Sequence, residues 1–164
     1  MNQENSKKKF TDIDFAMMNR ALEEAKKAVT HGDVPVGAVI VQNQTGKILA
    51  ACHNTREIQG NVLGHAELSA LNEACQALGS WRLTDCTLYV TLEPCPMCTG
   101  AILASRIPRV VFGAKDPIAG AMGSVWSLHT HPNDARISVD EGCLETEGRE
   151  LLKSFFKEKR DGYN

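Results

Sequence analysis

Two short stretches hold the residue types that do chemistry: His65-Ala66-Glu67 and Glu93-Pro94-Cys95-Pro96-Met97-Cys98. An imidazole with a C-x-x-C pair is a donor set for a soft divalent cation such as zinc. Each stretch opens a predicted helix. A helix N-terminus carries unpaired N–H groups and partial positive charge. A cysteine placed there loses its proton more readily, and the thiolate is the metal ligand. Cys95 at the cap and Cys98 three residues on share one side of the first turn. Pro96 between them lacks an N–H that would be unpaired anyway. Structural zinc usually takes four protein ligands, whereas catalytic zinc keeps a position for water. His65, Cys95 and Cys98 supply three. His53 is a possible fourth, but it falls on a predicted strand ahead of a loop.

Zinc lowers the pKa of its water from ~16 to about 7, which makes a nucleophile at neutral pH. Hydrolysis at an amidine-like ring carbon also needs a carboxylate close to the metal but not on it. That group moves protons from water to the ring nitrogen and the leaving amine. Glu67 is the candidate. Positions two apart on a helix do not face the same way, so Glu67 is expected to reach the site from beside His65. Glu93, at a strand end before Pro94, is the rival carboxylate and reads as structural.

The elements that must position these residues alternate. Thr11 or Asp12 caps a helix running to about Thr30, with Phe15, Met18, Leu22, Ala25 and Val29 as its apolar stripe. His31 follows it as a cap or surface residue. Strands are predicted over 34–42 and 47–54 around a turn at 43–46, and 55–64 reads as loop. A helix spans 65–78, with Leu68, Leu71, Ala74, Cys75 and Leu78 on one face and Gly79 ending it. Strand 87–93, helix 96–105 and strand 109–114 follow, then a possible strand 136–142. A last helix spans 146–160, with Leu151, Leu152, Phe155 and Phe156 facing inward. The first two strands form a hairpin, and the third and fourth, separated by a helix, are parallel. The pattern is an α/β domain with a mixed five-stranded sheet and helices on both faces.

The chain has 164 residues, 43% apolar and 23% charged, which suits one globular domain with a core of its own. No apolar run approaches the ~20 residues of a membrane span. MNQENSKKKF lacks the apolar core of a secretory signal, and Lys7 to Lys9 read as a solubilising tail. A cytoplasmic location is expected. Cys52, Cys75, Cys86 and Cys143 read as small buried hydrophobes. The net charge of −2 excludes a bulk basic field for nucleic acid, though not a local basic strip.

H-x-E with P-C-x-x-C is the signature of the zinc nucleobase deaminases. More specifically, the chain resembles the bacterial tRNA adenosine deaminases, which convert wobble adenosine to inosine. The matching stretches are DVPVGAVIV (33–41), HAELSALNEA (65–74), SWRL (80–83), TLYVTLEPCPMCTGAI (87–102), SRIPRVVFGAKD (105–116) and LLKSFFKEKR (151–160). The block from Pro94 to Ala101, followed by RIPRVVFGAKD, narrows the match beyond the core shared with cytosine and guanine deaminases. The resemblance implies a three-layer α/β/α cytidine-deaminase-like sandwich over residues 11–160, with tails at 1–10 and 161–164. It implies one Zn2+ per subunit, a tRNA anticodon stem-loop as substrate, and a homodimer. By the same resemblance Asn54 contacts the substrate nucleoside, Val36 lines the base pocket, and Asp116 lies near the ribose and flanking nucleotides. Two loops depart from the family pattern: Asn61-Val62-Leu63-Gly64 where many members read D-P-T-A, and 133–136, with Asp134-Ala135-Arg136 where many read N-H-R.

Other readings use the same residues. A deaminase of a free guanine- or cytosine-type base or nucleoside shares every metal residue, and the changed loops are its support. A non-enzymatic module with structural zinc is opposed by Glu67 and the missing fourth ligand. His129 and His131 read as a solvated loop that could meet phosphate. Lys153, Lys157, Lys159 and Arg160 could hold an RNA backbone, but Glu147, Glu150 and Glu158 share their helix and make an ordinary polar face. Trp126 could stack on a base, and Trp81, in the SWRL block, reads as packing.

Overall fold

The computed structural model describes residues 9–130 and 137–162. The first helix, α1 (Asp12–Val29), starts at a reciprocal cap: the Thr11 hydroxyl accepts from the Asp14 N–H, and the Asp14 carboxylate accepts from the Thr11 N–H. A hairpin follows, β1 (Gly37–Gln42) and β2 (Ile48–His53), then a one-turn helix α2 (Arg56–Gln59) and α3 (Ala66–Leu78). Gly79 closes α3 in the left-handed conformation, with φ 61°. The unit β3 (Cys86–Leu92), α4 (Pro96–Ala104), β4 (Arg109–Ala114) comes next, and the chain ends in β5 (Ser138–Glu141) and α5 (Glu145–Asp161).

The sheet runs β2-β1-β3-β4-β5. β1 is antiparallel to both β2 and β3, whereas β3, β4 and β5 are parallel. Alternation along each strand divides the core in two. Ala38, Ile40, Leu88, Val90, Val110 and Phe112 face Ala70, Ala74 and Ile102 of α3 and α4. Val39, Val41, Tyr89 and Val111 face Met18 and Ala21 of α1, and α5 packs beside α1. The result is the three-layer α/β/α sandwich expected. The α1 layer carries a buried polar knot. Arg109 donates to both Asp14 oxygens at 2.8 and 3.1 Å, and the Tyr89 hydroxyl donates to Asp14 Oδ1 at 2.8 Å. Burial by itself would raise the Asp14 pKa; these hydrogen bonds, the Thr11 N–H and the Arg109 charge overturn that and hold it at about 2.

Several expectations need correction. Phe15 and Phe156 are not inward: they are 37% and 44% exposed. The buried side of α1 instead includes Asp14 and Glu24, carboxylates that an apolar-stripe reading passes over. Trp81 is 52% exposed, with the Arg82 guanidinium over its ring, rather than packed inside. The expected loop 55–64 contains α2, and the first strand starts at Gly37, not residue 34. Within the expected tail over 1–10, Phe10 is buried against the α1 face, and Lys9 Nζ donates to the Glu141 carbonyl. Cys52, Cys86 and Cys143 are buried and Cys75 half-buried, all free. His129 lies in a 3-10 turn, Leu128–Thr130, against α4. His131, residues 133–136, Lys7, Lys8 and residues 163–164 fall outside the described residues.

Candidate active site

Two helices bring their N-termini to one point. His65 is the N-cap residue of α3 and Cys95 the N-cap residue of α4, with Pro96 as the first helical residue and Cys98 in the first turn. Neither cap residue uses its side chain on its own helix, so both side chains are free to meet. Cys95 Sγ lies 3.8 Å and Cys98 Sγ 3.5 Å from His65 Nδ1. The three donor atoms lie within 4.8 Å of one another, and no other such group occurs among the described residues. Two sulfurs and an imidazole nitrogen fit zinc. His53 is not with them: its Nδ1 lies 2.9 Å from Glu24 Oε2.

The α3 helix still needs a cap, because N-terminal N–H groups have no partner inside the helix. Asn54 supplies it from the end of β2: its Oδ1 accepts from the Ala66 N–H at 2.9 Å. That hydrogen bond ties the nucleoside-contact candidate directly to the residue between His65 and Glu67.

Glu67 is 4% exposed, and its Oε2 is buried with no hydrogen-bond partner among the described residues. Burial pushes its pKa up to about 7, although its own backbone N–H and the His65 charge pull the other way. A buried carboxylate oxygen without a partner is costly, and this one sits two residues from His65 beside the sulfur cluster. The Cys95 thiol is held down to about 4, first by a hydrogen bond from the Cys98 thiol; burial opposes this, and His65 and the Cys98 N–H add to it. Cys98 moves the other way because it is the donor to Cys95.

A cavity of about 200 Å³ opens onto this cluster. It brings together Val36, Asn54, His65, Glu67, Cys95 and Asp116, six of the seven residues given a metal, proton or substrate role from the sequence. Cys98, fully buried, stands behind the wall. Asp116 shapes the far rim: its Oδ1 accepts from the N–H groups of Ile118 and Ala119 at 2.9 and 3.1 Å. Glu93, also on the wall, is 2% exposed and takes hydrogen bonds from the Met122 N–H and from the N–H and hydroxyl of Ser124. It braces the 120–124 loop and has no free oxygen for proton transfer.

Sequence reasoning missed two polar wall residues, Asp33 and Arg56. Asp33 opens the matching stretch 33–41 without being singled out there, and Arg56 falls in the expected loop. The only signal was a carboxylate placed between a helix end and a buried strand.

The chain matches the model for MafB19-like deaminases over residues 13–160. It is 48% identical over 148 residues to the tRNA-specific adenosine deaminase of Bacillus subtilis (strain 168), which covers 90% of this chain and 91% of that one. A solved structure from biochemical and structural studies of A-to-I editing by tRNA:A34 deaminases aligns with a TM-score of 0.79 and 40% identity, over 84% of this chain and 99% of that one. A guanine deaminase from Bacillus subtilis aligns with a TM-score of 0.58 and 37% identity, over 70% of this chain and 66% of that one. The cytidine-deaminase-like sheet, the match along nearly the whole chain and the convergent helix N-termini agree: this chain belongs to the MafB19-like deaminase family and, within it, groups with the bacterial tRNA-specific adenosine deaminases.

Proposed function

We propose that this protein hydrolyses the 6-amino group from adenosine at the wobble position of a tRNA anticodon, consuming one water and releasing inosine and ammonia. The observation that carries the chemistry is the buried, unpartnered Glu67 oxygen beside the His65, Cys95 and Cys98 donors at one cavity wall. Those three residues would hold one zinc ion per chain, which supplies Lewis acidity and makes water nucleophilic near neutral pH. Glu67 carries the protons: it accepts one from water at its carboxylate and gives it to the ring nitrogen beside the attacked carbon, then serves the departing amine. Its buried position, with one oxygen free of partners among the described residues, suits a group that must both take and give a proton. Val36 would pack on the base, the Asn54 amide would meet the nucleoside, and Asp116 would hold the rim where ribose and flanking nucleotides lie.

The RNA substrate is supported by identity: 48% to the tRNA-specific adenosine deaminase, against 37% to the guanine deaminase. No residue of α5 is among those lining the cavity, so the described C-terminal helix does not close over it. A base from a longer strand can enter while its backbone stays outside, and an anticodon loop gives up a base more cheaply than a duplex does. The likeness to guanine deaminase keeps a free-base substrate as the second reading. We further place residues 11–160 in one catalytic unit, the enzyme in a homodimer and its work in the cytoplasm. No described helix is long and apolar enough to cross a membrane.

The test is sequencing of an anticodon stem-loop RNA with adenosine at its first anticodon position, after incubation with zinc-loaded protein and, in parallel, with Glu67→Ala. Conversion by wild type alone supports the substrate and the proton carrier together. No conversion with one zinc per chain overturns the tRNA reading, and turnover of free guanine or cytosine would then establish the second.

A further inference from the structure

The segment from His53 to Ile58 supplies two polar side chains to the cavity wall, Asn54 and Arg56. Buried carboxylates that take no part in the proposed reaction hold it at both ends. At one end Glu24, 3% exposed, faces His53 Nδ1 through Oε2 at 2.9 Å, and its Oε1 faces Arg20 and Lys27, each at 2.7 Å. At the other end Asp33, 1% exposed, accepts from the Glu57 N–H at 2.7 Å and from the Ile58 N–H at 3.2 Å. Asp33 Oδ2 also lies 2.8 Å from His31 Nδ1. The His31 and His53 rings are 5.3 Å apart, so the two ends form one packed unit under the segment.

The α2 turn has no cap of its own, since Thr55 makes no side-chain cap hydrogen bond. Asp33 caps it from 24 residues earlier in the chain. The return path is equally constrained. A Cβ on Gly64 would come within 2.6 Å of Arg56 N and 2.7 Å of Arg56 Cα, so the turn into His65 packs directly on the start of α2. Movement of residues 56–58 therefore shifts Arg56, the Asn54 cap on α3 and the approach to His65 together.

We propose that Asp33 is a positioning residue for the substrate: by fixing the Glu57 and Ile58 amides it holds Arg56 and Asn54 in place at the cavity wall, with Glu24 steadying the other end through His53. The kinetic part of this inference rests on the RNA deaminase reading above; the clamp itself does not.

The experiment compares wild type, Asp33→Ala, Asp33→Asn and a control, Asp14→Asn, whose ion pair with Arg109 lies at the far end of α1 from Asp33. Zinc content, steady-state kinetics on the anticodon stem-loop and amide exchange across residues 53–60 are measured for each. Asp33→Ala should keep one zinc per chain and raise KM about tenfold, with kcat falling less than about threefold, since misplaced binding groups weaken uniform binding first. Asp33→Asn retains an oxygen for the Glu57 N–H and should recover part of the loss. It also carries the comparison if Asp33→Ala does not fold. The Glu57 and Ile58 amides should exchange faster in the Asp33 variants and not in Asp14→Asn. A KM change no larger than the control's, or a fall in kcat with KM unmoved, overturns the positioning role. If wild type converts no RNA, the proposed substrate fails separately, and unaccelerated exchange at Glu57 and Ile58 would then overturn the clamp.

Discussion

Glu67 is the residue at which stability and function pull apart. Its carboxylate is buried with an oxygen that has no hydrogen-bond partner among the described residues, and burial of that kind costs the fold. Glu67→Gln keeps the shape and removes the charge. The metal-free variant should melt no lower than wild type, keep its zinc site and lose inosine formation; calorimetry beside the sequencing assay reads both, and residual turnover near wild type would remove Glu67 from its role. Cys98→Ala behaves oppositely. It deletes one of three donors, so zinc measured by elemental analysis should fall well below one per chain while the fold persists. Asn54→Ala carries two losses, a cavity-wall amide and the cap on the Ala66 N–H. A cap of this kind contributes about 1 kcal/mol, and urea unfolding should show that loss apart from any kinetic effect.

At the scale of elements, the α1 layer rests on two tight features. Gly37 opens β1 against α1 so closely that an added Cβ would overlap the Ala21 carbonyl oxygen and lie 2.7 Å from Ala25 N. Gly37→Ala must push helix from sheet, a cost of about 1–3 kcal/mol for overpacking, measurable as a lower urea midpoint. The second feature is the Asp14–Arg109–Tyr89 knot. The Asp14 pKa falls from 3.8 to about 2 on folding. A carboxylate with a depressed folded-state pKa adds stability above its unfolded value and loses it as pH falls through the folded one. The Asp14 contribution, about 2 kcal/mol, should therefore disappear between roughly pH 4 and pH 2. Asp14→Asn should be less stable than wild type at neutral pH and show a shallower decline over that window. Parallel declines would refute the assignment. These features also show what was legible. Met18, Leu22 and Ala25 follow a helical period and are buried as read, whereas Asp14 and Glu24 are buried because partners on β4 and β2 receive them, and no period along α1 announces that.

For the whole molecule the balance of charge matters most. With a net charge of −2 there is no global field to hold RNA, so binding must come from local cations near the cavity, such as Arg56. Affinity for the stem-loop should still fall with added salt, as every phosphate contact releases counterions, but with a slope of only a few contacts. A slope near zero would point to a free base as the substrate. The homodimer implied by family resemblance is a mass of twice 17.9 kDa in sedimentation; a single-chain mass at working concentration would overturn it.

The reactive inventory was legible from the order of residues alone. His65, Glu67, Cys95 and Cys98 sit in short spacings at helix starts, where geometry is local and one turn of backbone sets which side chains share a side. The order of the strands and longer helices and the parallel pairing of β3 with β4 were also legible there, because hydrophobic period and connection length are local properties. Val36, Asn54 and Asp116 were named by family likeness rather than by spacing, and the fold gathers them at one cavity. That Asn54 caps α3, that Glu93 braces a loop, and that Asp33 and Glu24 hold the segment between them emerges only from the packed layers. Each of those depends on a hydrogen bond spanning 12 or more residues. Such bonds form because a buried polar group must find a partner wherever packing places one, and that place is a property of the assembled layers rather than of any stretch of chain.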